Sequence, residues 1–126
     1  MLAGPPSPDL MDSDARRIEN VEVRPAEKQV LVGGRRAALT VREFEIFHVL
    51  FERYDRVVLR EQAFELVWGS RMPRRDRSVD VFVRKVRGKL AAVEPEWTFI
   101  HTHFGIGYRF TPEPISAAEP AQSPAT

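Results

Sequence analysis

The sequence predicts an α+β fold: a small N-terminal antiparallel sheet, three helices and a C-terminal β-hairpin. Three observations predict it. Valines alternate with other residues between turn signals over residues 17–38. Apolar residues recur at helical spacing in two segments between residues 40 and 91, with a short helix bounded between them. Two strand-like runs then flank a glycine-bearing turn at 104–107. With 126 residues, 43% of them hydrophobic, one folded unit is expected, at residues 17–111. Residues 1–16 contain Pro5, Pro6 and Pro8, and residues 112–126 read PEPISAAEPAQSPAT. Neither end holds enough apolar surface to offset the entropy of ordering the chain, so both are expected as flexible tails.

In the strand region, Val21 and Val23 alternate with Glu22 and Arg24, and Val30 and Val32 flank Leu31. Pro25-Ala26-Glu27 and Gly33-Gly34 punctuate the run as turns. The first helix has a marked start at Thr40-Val41-Arg42-Glu43. There the Thr40 hydroxyl can accept the Glu43 N–H while the Glu43 carboxylate reaches back to the Thr40 N–H. Leu39 and Phe44 occupy the flanking staple positions. Phe44, Phe47, Leu50 and Phe51 then form an apolar stripe running to about Tyr54, read as core.

A short second helix is expected from about Arg60 to Trp68, closed by Gly69. Pro73 keeps residues 70–76 out of helix. The third helix is expected at about 77–91. Its Val79, Val83, Val86 and Leu90 share one face, leaving Ser78, Val81, Arg84, Lys85 and Gly88 on the others. Cations beside one small apolar side chain suit a major-groove reader: the cations meet phosphates and guanine edges, and Val81 meets thymine methyls. Trp97 to Phe110 reads as two strands around Phe104-Gly105-Ile106-Gly107. A hairpin directly after a basic helix is the layout of a wing.

The formal net charge of +1 hides an uneven distribution. From Arg71 to Lys89 there are eight basic and two acidic residues, a net of +6; the remaining 11 basic and 16 acidic residues give −5. A basic focus on an acidic body suits a protein that aims one surface at a polyanion. With no cysteine, disulfides and thiolate zinc sites are excluded. No apolar run approaches a membrane span and the N-terminus does not look like a secretory signal, so a cytoplasmic location is expected.

Three stretches resemble the effector domain of OmpR/PhoB-type response regulators. They are LTVREFEIFHVLFERYDRVVLREQAFELVWG (39–69), RSVDVFVRKVRGKL (77–90) and IHTHFGIGYRF (100–110). The family pattern has LT-x-x-EF on the first helix, a terminal WG on the second, R-x-VD-V opening the third and G-x-GY-x-F in the wing. All occur here in order. The resemblance implies a winged helix-turn-helix with a four-stranded N-terminal sheet, and transcription regulation through double-stranded DNA, often by a homodimer. It implies phosphate contacts from Trp68, Arg77, Arg84, Arg87 and Thr102, and base-edge contacts from Ser78, Asp80, Val81 and Lys85. His103, Phe104 and Gly105 fall in the wing. The loop with Arg71, Arg74 and Arg75 corresponds to one that can face RNA polymerase, at its sigma or alpha subunit. Such regulators carry an upstream phosphoacceptor domain of about a hundred residues or more. This chain lacks that receiver domain, which leaves open a piece of a longer regulator or a stand-alone winged helix.

Four departures from the family pattern carry expectations. Phe82 replaces a His or similar polar residue, so a phosphate contact is expected to be lost. Phe104 replaces an arginine that reaches the minor groove. Packing of Phe104 on the wing itself ranks first, ahead of packing on a sugar or wedging at a base step. Leu59 replaces a capping serine, a loss of typically about 1 kcal/mol. Lys85 stands where some relatives have Arg, giving poorer two-pronged geometry on guanine.

An enzyme is not expected. His101 and His103 share a strand face and His48 lies on the first helix, but no third metal ligand is apparent, and no cofactor is implied. There is no nucleophile–base pair, and Gly105-Ile106-Gly107 is too short and misplaced for a dinucleotide fingerprint. The alternative is a protein-interaction module that docks RNA polymerase or a regulatory partner without reading DNA.

Overall fold

The computed structural model describes residues 15–116. Four short strands, β1 (Arg16–Ile18), β2 (Val21–Arg24), β3 (Gln29–Val32) and β4 (Arg35–Ala37), form an antiparallel sheet in sequence order. The predicted turns join β2 to β3 and β3 to β4: a single 3₁₀ turn at Pro25–Glu27, and Gly33-Gly34 with positive φ at both residues. The inward valines Val21, Val23, Val30 and Val32 are fully buried. This follows from the period-two alternation of side chains along a strand.

Three helices follow: α1 (Val41–Glu52), α2 (Arg60–Trp68) and α3 (Ser78–Val93). The Thr40/Glu43 capping box forms in both directions, at 3.2 and 2.8 Å. Gly69, at φ +77, closes α2 by donating its N–H to Glu65 O. Leu59 makes no side-chain cap at the start of α2, in keeping with the loss of the serine. The Arg60 N–H at the first helical position bonds Ile106 O at 3.3 Å. At the start of α3 the Asp76 carboxylate accepts the Ser78 N–H at 2.7 Å; at its end Arg35 of β4 donates to Val93 O at 2.6 Å. A carboxylate at the N-terminus and a guanidinium at the C-terminus both complement the helix dipole.

A further strand, β5 (Val57–Leu59), lies between α1 and α2, and the C-terminal hairpin pairs β6 (Trp97–His103) with β7 (Gly107–Pro114). β5 adds to the other side of β7, so the wing grows from a three-stranded sheet of order β5-β7-β6. β5 was not expected: three apolar residues between two helices carry no alternation. β7 also continues past residue 111, so residues 112–114 belong to the sheet rather than to a tail. Pro112 and Pro114 are tolerated because β5 pairs only along residues 107–109 and the β6 ladder slips between Thr98 and Ile100. Arg16 likewise lies in β1. The rest of both expected tails lies outside the described residues, save Ala15, Ile115 and Ser116. Phe47 and Phe51 of α1 pack on Phe110 of β7, with ring centroids 5.2 and 5.4 Å apart, joining helices and wing in one core. Among the described residues no helix is long and apolar enough to cross a membrane.

Candidate nucleic-acid interface

The buried face of α3 is the predicted one: Val79, Val83, Val86 and Leu90 are each at most 2% exposed. Val81, Arg84 and Lys85 lie on the opposite side, and all three are exposed. Between this side and the wing lies an open cleft of about 520 Å³. Of the residues expected at an interface, Arg77, Asp80, Val81, Arg84, Arg87, Thr102, His103, Phe104 and Gly105 line it. Trp68, Ser78 and Lys85 lie outside the cleft, as do Arg71, Arg74 and Arg75 in the loop before α3.

Asp80, Arg87 and Thr102, all expected to face DNA, are bonded within the protein. Asp80 accepts from Arg60 through both carboxylate oxygens, at 3.2 and 2.8 Å, from Arg77 at 3.3 Å and from the Tyr108 hydroxyl at 2.5 Å. Burial raises the Asp80 carboxyl, but the bonds from Tyr108, Arg60 and Arg77 outweigh it and hold it below the usual aspartate value. Burial, and then Asp80 itself, push the Tyr108 phenol up to about 12. Arg87 turns toward β6, donating to Ile100 O at 2.8 and 3.1 Å and to the Thr102 hydroxyl at 2.5 Å, with its guanidinium 5.5 Å from the Tyr108 ring centroid. Burial lowers its pKa, opposed by Tyr108. Arg60, Gly107 and Tyr108 had no expected role, yet all three line the cleft. Tyr108 stood in the wing pattern without an assignment, and nothing near Arg60 in sequence marks it.

The basic segment is therefore divided. Arg77, Arg87 and Lys89 have partners within the protein; Lys89 donates to the buried Glu43 at 2.7 Å. Arg71, Arg74, Arg75, Arg84 and Lys85 have no acidic partner among the described residues. These five cations, with the exposed Arg77, give the surface its charge.

Phe82 packs within the protein. It is half-buried against Trp68, ring centroids 5.9 Å apart, in a row that continues to Phe64, and it carries the Lys85 ammonium at 5.3 Å. Trp68 also has the Arg42 guanidinium at 4.8 Å. Phe104 departs from its first-ranked expectation. It is 89% exposed and does not fold back on the wing, because the hairpin turn carries it beyond the last cross-strand pair, His103–Gly107. The histidines serve separate bonds. His101 Nε2 meets Thr111 O at 2.8 Å, His103 Nε2 accepts from Arg109 Nε at 3.1 Å, and His48 pairs with Glu52 at 3.0 Å. No group of three or more metal-ligating side chains occurs among the described residues.

A model of the family described as transcriptional regulatory protein, C-terminal, matches residues 34–110. The chain belongs to that family. Within it, the chain is 32% identical over 102 residues to the uncharacterized transcriptional regulatory protein YclJ of Bacillus subtilis, covering 80% of this chain and 44% of that one. Identity to response regulator MprA of Mycobacterium ulcerans is 34% over 100 residues, covering 79% and 43%. The chain thus spans less than half the length of these relatives. The RstA DNA-binding domain of Klebsiella pneumoniae, solved in complex with the RstA box, matches with a TM-score of 0.69 at 27% identity, covering 77% of this chain and 96% of that one. DrrB of Thermotoga maritima, an OmpR/PhoB homologue, matches at 0.65 and 28% identity, covering 78% and 44%. The winged helix-turn-helix architecture and the OmpR/PhoB-type effector resemblance both hold.

Proposed function

We propose that the chain is the DNA-binding output domain of a bacterial two-component regulator. It binds double-stranded DNA sequence-specifically and so regulates transcription, acts in the cytoplasm and performs no catalysis. Segment 77–91 enters the major groove, and the wing, residues 98–111, meets the flanking backbone or minor groove. The observation that carries this reading is the outward face of α3. There Arg84 and Lys85, without acidic partners among the described residues, lie beside Val81 and next to a cleft walled by the wing. Arg84 and Arg77 supply phosphate contacts, with the Trp68 edge at the flank. Lys85, Val81 and Ser78 meet base edges. Asp80, Arg87 and Thr102 act behind this surface, holding helix and wing at a fixed separation. Arg71, Arg74 and Arg75 suit contact with an acidic surface of RNA polymerase, and a second copy occupies a neighbouring half-site.

The deciding experiment is selection of bound sites from a random duplex pool, followed by titration at rising salt. Affinity should fall steeply with salt, by a slope of about 0.9 for each phosphate neutralised. Lys85→Ala should relax preference at one base pair by about 1–3 kcal/mol and leave the others unchanged. Failure to bind any duplex at low ionic strength would reject the reading in favour of a protein-docking module.

A further inference from the structure

We infer that Phe104 is an apolar wedge that enters the minor groove beside the occupied major groove and senses how readily one flanking base step unstacks. This rests on the DNA-binding reading above and adds a second, indirect source of sequence preference to it.

Phe104 is the most exposed large hydrophobic residue among those described, at 89%. The turn that carries it is closed by a bond from Ile106 N–H to His103 O at 2.8 Å, with Gly105 at φ +76. The hairpin is pinned beside its tip. Gly107 lies so close under β5 that a Cβ on it would overlap the Val58 carbonyl, and Arg60 N–H bonds Ile106 O. The ring is thus presented on a braced support, which a wedge requires if it is to transmit force to a base stack.

Phe104 also lines the cleft that Arg77 and Arg84 line. Phosphates drawn to those two cations bring the sugar–base edge of the same duplex against the ring. A phenyl group has no donor for the groove-floor acceptors and no charge to sense a narrow groove's potential. What it can do is stack on a sugar or pry neighbouring bases apart, and pyrimidine–purine steps open most readily.

The test uses the full chain and duplexes recovered by site selection, each carrying a fluorescent adenine analogue at one flanking position. The chain should raise the fluorescence at one position per half-site and favour a TA or CA step there by about tenfold over a stiff step. Phe104→Ala should weaken binding and abolish both effects, with the salt slope and the circular-dichroism melt unchanged. Phe104→Arg should recover affinity through its charge without recovering the fluorescence change or the step preference. If the chain binds duplex with no unstacking and Phe104→Ala keeps the same flank preference, the wedge is overturned while DNA binding stands. The wedge is likewise overturned if Phe104→Ala loses only the cooperative binding of a second copy, which would assign the ring to a protein contact. Absence of all duplex binding would overturn both readings.

Discussion

The Tyr108 hydroxyl of the wing donates to Asp80 of the third helix at 2.5 Å, and the same carboxylate is gripped by Arg60 of the second helix. One acidic side chain therefore joins three elements whose relative placement defines the cleft. A hydrogen bond to a charged group contributes about 1.5–3 kcal/mol. Tyr108→Phe should accordingly lower stability by about that amount in urea melts at neutral pH, with the core ring packing retained.

The same pair sets a pH dependence. Tyr108 titrates higher in the folded protein, at about 12, than its ordinary 10.0. Its contribution is therefore complete below about pH 10 and is lost as pH rises from there toward 12. Asp80 is depressed, so its contribution is present above the ordinary aspartate value and is lost as pH falls through the lowered one. Melts of wild type and Tyr108→Phe across the alkaline range should converge. Parallel curves would refute the linkage.

Glu43 combines a helix cap with an ion pair. It is 3% exposed, bonds Thr40 and accepts from Lys89 of α3. Burial raises its carboxyl, while Lys89 and Thr40 outweigh that and lower it. Glu43→Ala should cost about 2–4 kcal/mol, since it removes the acceptor for the Thr40 N–H and strands the Lys89 partner. The loss should shrink as wild type is taken to low pH, because Glu43 contributes above its ordinary value and fades as pH falls through the lowered one. A constant difference at all pH values would show that packing, not charge, carries the effect.

Arg84 and Arg87 lie one helical turn apart and should behave differently. Arg84 is exposed, so Arg84→Ala should reduce the salt slope of DNA binding by about 0.9 and leave the melting temperature unchanged. Arg87 holds Ile100 O and Thr102, so Arg87→Ala should cost about 1–3 kcal/mol of stability with the slope unchanged. Equal reductions of slope would place Arg87 on a phosphate.

Gly107 is required by a close approach, not by its φ. A methyl group there would collide with the Val58 carbonyl, so Gly107→Ala must push β5 off β7. The expected destabilisation is about 2–3 kcal/mol. Faster amide exchange in β5, with that of β2 and β3 unchanged, would localise it.

Much of the fold was legible because its signals are local. The Thr40/Glu43 box spans three residues, the valines of β2 and β3 alternate at period two, and one face of α3 repeats at helical spacing; each pattern reports burial without knowing the partner. β5 was not legible, since its strand character comes only from hydrogen bonds to β7 far along the chain. Phe104 was misjudged for a similar reason: whether a tip residue folds back depends on the turn's geometry, which Gly105 sets.

The sequence by itself determined the order of the helices and the hairpin, the Thr40/Glu43 box and the Gly69 cap, the buried face of the third helix and the concentration of positive charge between residues 71 and 89. Only the tertiary structure decided which of those charges are available. Asp80 finds Arg60 across 20 positions and Tyr108 across 28, and Lys89 finds Glu43 across 46. A side chain's charge is written in its chemistry, but its free energy of pairing depends on distance and desolvation, and these exist only once the chain has folded.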